Sequence, residues 1–315
     1  MNPSFILIIL CLTLGALLKR SGKFPREAPR AFNAFVIWVS LPALILVQIP
    51  ALLQQTRLSF DLLIPVSMAW IQLLIALPLF YFIGKKLAWS NAQIGALILT
   101  AGLGNTSFVG FPILESLFGQ EGLRVGVLND QGTFLAFSTV GLAAASLFVE
   151  GTRSRITPAL VVRNVMSFPP FIALMIAVIW HVSGTYGPGP LTMVFERLSV
   201  TLIPLALISV GFQLSASRQV IRQQWKPLLA GLGFKLLLAP LFFIVLYVYI
   251  CSSHTFSTRV TILESAMAPM ITGAIVAEEM GLDAEISNLM VGVGIPISII
   301  TVYLWNWLPL LQGLH

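Results

Sequence analysis

The chain has 315 residues, of which 57% are hydrophobic and only 10% charged, and its mean hydropathy is +0.92. That balance excludes a water-soluble domain and predicts an all-α polytopic protein embedded in a lipid bilayer. The formal charge of +6 is then an orienting charge at the membrane surface, not a nucleic-acid footprint, and no nucleic-acid partner is expected.

Stretches of about 20 apolar residues predict ten spans, at 3–18, 30–53, 60–83, 90–119, 122–148, 167–184, 190–214, 227–250, 258–282 and 284–311. The first has no positive charge before it and no small-residue cleavage site, so it reads as a span, not a removed leader. Alternate loops carry Lys19, Arg20, Lys23, Arg26 and Arg30, then Lys85 and Lys86, then Arg153, Arg155 and Arg163, then Arg218, Arg222 and Lys226. The opposite loops hold only Arg57, Arg124, Arg197 and Arg259. Positive loops stay cytoplasmic, which puts both termini outside, in the periplasm if the membrane is a bacterial inner membrane. Trp89, Trp180, Trp225, Trp305 and Trp307 fall near span ends, as an aromatic belt requires.

Five spans in each half is an odd number, so halves at 1–155 and 156–315 would have opposite orientation, as inverted repeats do. Punctuation agrees: Pro112 and Pro269 are 157 residues apart, and Pro42 and Pro204 are 162 apart. The fourth span is broken by Gly102, Gly104, Gly110 and Pro112, beside Asn105, Thr106 and Ser107. The ninth is broken at Pro269, with Met270, Thr272 and Gly273 following. Unwound backbone in hydrocarbon costs several kcal/mol per unpaired group, so such breaks persist where they line a polar cavity. Paired breaks in corresponding segments point to a transporter's substrate site. Pro112 is expected to hold Phe111 extended and to start a half-helix whose N–H groups favour an anion. In the inverted arrangement the two breaks cross near the midplane.

Ionisable residues inside spans are functional candidates by default. Asp130 lies in the fifth span beside Asn129 and Gln131, with Ser287 and Asn288 at the matching place in the tenth. Asp130 is a candidate for binding a proton or coupling ion, or for a hydrogen bond that holds the crossing. Lys235 in the eighth span is a candidate countercharge for an anion. The alternative is snorkelling, since it lies roughly 12 Å from the cytoplasmic end at about 1.5 Å per residue. Glu264 in the ninth is either part of the site or a structural partner of Arg259. Two cysteines, Cys11 and Cys251, and three scattered histidines offer neither a disulfide framework nor a metal cluster. No phosphate-binding loop, dinucleotide fingerprint or zinc-protease motif occurs, so neither an enzyme nor a cofactor is expected.

Asn105-Thr106-Ser107-Phe108-Val109-Gly110-Phe111-Pro112 resembles the crossover signature of the auxin efflux carrier family, and Asn129-Asp130-Gln131 resembles the Asp-Gln pair that follows it there. Glu264 to Met270, followed by Ala277 to Asp283, is similar to that family's second crossover, although Ala268 stands where many relatives have a second proline. The resemblance implies a ten-helix fold related to the bile-acid/sodium symporters. Spans 1, 2, 6 and 7 would form a scaffold, and spans 3–5 and 8–10 a transport core that slides like an elevator, often in a homodimer. It also implies a short bacterial form that carries malonate, malate or similar carboxylates. Asn105, Thr106, Ser107, Pro112, Pro269, Met270, Thr272 and Lys235 would then meet the substrate. Asp130, Gln131, Asn129, Glu264 and Asn288 would support the crossover or a coupling ion, H+ or Na+. The rival readings are a sodium-coupled symporter on the same fold and a membrane sensor that transports nothing.

Overall fold

The computed structural model describes residues 3–25, 27–55, 62–149, 158–214 and 217–314. Arg26, Arg57, Arg153 and Arg155, which contribute to the charge bias, and the boundary between the halves near 155 lie outside the described residues. Among the described residues every extended regular element is a helix. Six helical stretches among these residues are long and apolar enough to cross a membrane: Pro3–Ser21, Ala28–Gln54, Leu63–Lys86, Pro190–Gln213, Arg218–Ile250 and Ala284–Asn306.

Helix α1 (Pro3–Ser21) ends on Lys19 and Arg20, whose charge suits the negative end of the helix dipole. Helix α2 (Ala28–Phe35) continues through a π-helical turn, Val36–Ser40, into α3 (Leu41–Gln55). Helix α4 (Leu63–Lys86) is followed by α5 (Asn91–Ala101), which opens on a capping box between Ser90 and Gln93. A π-helical segment, Thr106–Gly110, leads into α6 (Phe111–Ala136), and a second, Phe137–Gly141, leads into α7 (Leu142–Ser146). Gly119, with φ 63° and ψ −147°, turns the chain inside α6 and so separates the fourth predicted span from the fifth. Only a glycine takes that conformation without strain.

The second half runs through α8 (Pro158–Met166), α9 (Pro169–Val182), α10 (Pro190–Ser199) and α11 (Leu202–Gln213). Helix α12 (Arg218–Gly233), kinked at Gln224 (φ −105°, ψ 17°), a π-segment at Phe234–Leu238, α13 (Ala239–Phe243) and another π-segment at Ile244–Ile250 follow one another without a gap. The chain closes with α14 (Phe256–Ser265), α15 (Ile271–Glu279), α16 (Ala284–Asn306) and the short α17 (Pro309–Gln312).

Helix α1 packs along α11, and α3 along α9 and α10; these form one group. In the other, α4 packs on α6 and α12 on α16, with α14 against α4 and α6 and α15 against α5 and α16. Between helices in lipid, close packing replaces the hydrophobic effect as the cohesive force, and small residues make it possible. Helices α1 and α11 approach through reciprocal glycines. A Cβ on Gly15 would fall 2.2 Å from the Ile208 carbonyl oxygen, and one on Gly211 would fall 2.2 Å from that of Leu12. Buried apolar side chains form two clusters. One includes Ile8, Ile45, Phe111 and Ile262; the other includes Leu73, Phe80, Ile98 and Met290.

Candidate functional site where two backbone breaks meet

Besides the two apolar clusters there is a group of buried polar residues, built where α5 and α14 both stop short. Helix α5 is buried from Ile94 to Ala101, then loses helical geometry until Thr106. Helix α14 ends at Ser265 and the chain resumes as α15 only at Ile271. The two gaps touch main chain to main chain. The Asn105 N–H donates to the Ala268 carbonyl at 2.8 Å and the Met270 N–H to the Thr100 carbonyl at 3.3 Å. Gly104 and Pro269 form an isolated antiparallel bridge. A helix end leaves its last carbonyls without intrahelical partners. Here Thr100 finds Met270, and Ala101 accepts from Gln72 Nε2 at 3.2 Å.

The break differs from expectation in one respect. Phe111 is helical, with φ −55° and ψ −48°, so the interruption lies upstream of Pro112, at 102–105. The reason is the π-helical segment Thr106–Gly110, whose wider turn accommodates a proline that has no N–H to give. Pro112 therefore sits in the first turn of α6, where a missing donor costs nothing.

Side chains then fill the layer. Asn105 caps the π-segment, accepting from the Phe108 N–H at 3.1 Å, and its Nδ2 has no partner. Thr106 donates to Asp130 Oδ1 at 2.6 Å. Asn129 donates to the Val125 carbonyl at 3.1 Å, leaving its Oδ1 unpartnered, and Gln131 has neither amide atom paired. Glu264 is 0% exposed, and neither carboxyl oxygen has a hydrogen-bond partner. That carboxyl lies in a notch made by glycine. A Cβ on Gly110 would come within 2.8 and 2.9 Å of its oxygens, and one on Gly126 within 3.4 Å of Oε1. Lys235, also 0% exposed, donates from Nζ to the Ser265 carbonyl at 3.0 Å. Its ammonium rests against Gly104, where a Cβ would lie 2.9 Å away.

Two of the alternatives set out above fail here. A wholly buried Lys235 held by Ser265 does not snorkel to the surface. Arg259 does not partner Glu264: it donates to Asn306 Oδ1 at 2.9 Å and lies over the Phe118 ring at 4.9 Å. Asn105, Thr106, Pro112, Asn129, Asp130, Gln131, Lys235, Glu264 and Pro269 are all buried. Ser107 and Met270 are half-buried, whereas Thr272 on α15 and Asn288 on α16 are exposed and stand outside the buried layer. Gln72 of α4 escaped the sequence reading, although an amide in the middle of an apolar span was the available signal. It is 1% exposed and its Oε1 is unpartnered.

A family model described as membrane transport protein matches residues 3–306. The chain belongs to this family of membrane transport proteins, the auxin efflux carriers. It is 27% identical over 300 residues to an uncharacterized transporter of Methanothermobacter thermautotrophicus, covering 95% of both chains. It is 26% identical over 310 residues to an uncharacterized transporter of Methanocaldococcus jannaschii, covering 97% of this chain and 98% of that one. It is 22% identical over 307 residues to the uncharacterized transporter YfdV of Escherichia coli K12, covering 95% and 94%. For a member of the auxin efflux carriers, Ala268 in place of a second proline changes little. That residue gives the contact between the breaks only its carbonyl, which proline also has.

Proposed function

We propose that the chain is a secondary transporter or facilitator of small organic anions, mono- or dicarboxylates, which it binds where the two breaks meet. The observation that carries this reading is the set of buried polar atoms without partners at and near that point: Gln72 Oε1, Asn105 Nδ2 and both oxygens of Glu264, with Asn129 Oδ1 and both amide atoms of Gln131 on α6, whose Asp130 is tied to the first break. A buried polar group left unsatisfied costs about 1–3 kcal/mol, so several in one place call for a polar guest, water or an ion during the working cycle. Helix α15 begins at Ile271 without any side chain capping it. Its first N–H groups, together with Asn105 Nδ2, suit a carboxylate. Ser107, Met270 and Thr272 are the more accessible members of the set.

The same reading makes ten membrane crossings in two inverted halves. Helix α5 with the part of α6 before Gly119 counts as one crossing, the rest of α6 with α7 as the next, α8 with α9 as another, and α14 with α15 as another. The packing supports it. If spans 1 and 2 correspond to 6 and 7, the α1–α11 contact becomes the α3–α9 contact, and the α4–α6 contact becomes α12–α16. The first two pairs then form a scaffold and the others a core that moves against it in elevator fashion. We place the protein in a bacterial inner membrane as a homodimer with both termini outside. Asp130, Asn129 and Gln131 support the crossing.

The test is tracer flux into proteoliposomes with malonate, malate, smaller monocarboxylates and indole-3-acetate. Saturable carboxylate uptake, reduced tenfold or more by Asp130→Asn, is the expected result. Folded protein that carries none of these anions would overturn the substrate class.

A further inference from the structure

We propose that Lys235 is a built-in cation: its ammonium fills the place an alkali cation would take between the broken helices, so that the protein works without sodium. The one acceptor of the Lys235 nitrogen is the carbonyl of Ser265, the last residue of α14, at 3.0 Å. The nitrogen also lies against Gly104, three residues beyond the end of α5. The Glu264 carbonyl also borders that point, 3.5 Å from where a Gly104 Cβ would be. The nitrogen thus sits at the carboxyl end of α14, equivalent to about half a negative charge, and against the unwound backbone that follows α5.

Such ends, with unwound carbonyls, are what hold a cation in carriers built from broken helices. Two carboxyl groups deepen the negative character of the layer. Glu264 belongs to α14 itself, and Asp130 is tied by Thr106 to the segment that follows the first break. Without a positive charge this layer would bury two carboxyl groups and the carboxyl end of α14 with nothing opposite them, an expensive arrangement. Lysine is suited to the task, being a compact point charge with three donors on a flexible stem. The stem reaches in from a π-helical turn, Phe234–Leu238, and the missing Gly104 side chain leaves room for its tip. Unlike sodium, this cation is tethered and never leaves. The positive charge stays with the protein through the cycle, and an anion crosses without a companion ion.

The flux arm of the test rests on the carrier reading; the stability arm does not. Purified wild type, Lys235→Ala and Lys235→Gln are melted in detergent in choline, sodium, lithium and methylammonium chloride at equal ionic strength. Wild type is expected to melt at one temperature in all four. Each variant is expected to melt several degrees lower in choline and to regain at least half of that loss, saturably, in sodium or methylammonium. Variants that ignore the cation, or a wild type saturably stabilised by sodium, would overturn the proposal. The second arm replaces sodium by choline on both sides of proteoliposomes carrying wild type. Unchanged carboxylate flux supports the built-in cation, and a tenfold loss overturns it. If no anion is carried at all, the substrate reading fails while the melting curves still decide the fate of Lys235.

Discussion

The notch around Glu264 is set by an absent methyl group. With Gly110 replaced by alanine, the new Cβ would meet both carboxyl oxygens at under 3 Å, and the carboxyl must move. Overpacking of this kind costs about 1–3 kcal/mol, and here it displaces the one acid in the layer with no hydrogen bond. Gly110→Ala is therefore expected to lower the melting temperature and to cut flux at least tenfold. Adding Glu264→Ala, which empties the notch, is expected to restore the melting temperature but not the flux. Melting curves and uptake on the two variants check both halves of the statement. At this scale the sequence was informative about identity and silent about partnership. Asn105, Thr106, Asp130, Lys235 and Glu264 stand out as polar residues in apolar runs. What Lys235 holds is a main-chain oxygen 30 residues away, which no residue type announces. Gln72 stands alone as an amide in its apolar helix, which marks it as unusual, but its partner, the Ala101 carbonyl 29 residues on, is again a main-chain oxygen.

Among elements, the existence of breaks was legible and their position only partly so. The second lies at Pro269, as its sequence suggests. The first precedes Pro112, because a π-helical turn absorbs the proline and moves the unwinding to Gly102 and Gly104. A turn of that kind depends on packing on both sides of the helix and leaves no mark in local sequence. Helix pairing is more predictable once glycines are weighed by what they touch. Gly211→Leu would drive a side chain into the Leu12 carbonyl and separate α1 from α11. Its cost is expected to be at least the ~1–3 kcal/mol of an overpacked core, with loss of the monodisperse peak in detergent chromatography. Gly233→Ala, in a helix and with nothing within 4 Å of its added Cβ, is expected to be neutral or to stabilise by up to ~1 kcal/mol. A poor profile for both variants would mean that general sensitivity to glycine replacement, not this contact, is responsible.

For the whole molecule, the apolar pattern was read correctly as a membrane protein, and the charge asymmetry makes a prediction that the chain can test with its own thiols. Cys251, in the connection before α14, is exposed, whereas Cys11 in α1 is buried. With both termini outside, Cys251 faces outward as well. A membrane-impermeant maleimide is expected to label intact cells at Cys251 and to lose that labelling in Cys251→Ser. Labelling that requires permeabilised cells would invert the orientation.

The contact between the two breaks has a wider consequence. Asn105 and Met270 each give it an N–H, and Thr100 and Ala268 each give it a C=O. Every residue possesses the second, and every residue except proline the first. The join at the centre of the protein is thus nearly indifferent to spelling. A lineage is free to rewrite the side chains around it for a different cargo, one position at a time, without first dismantling the machine that moves the cargo.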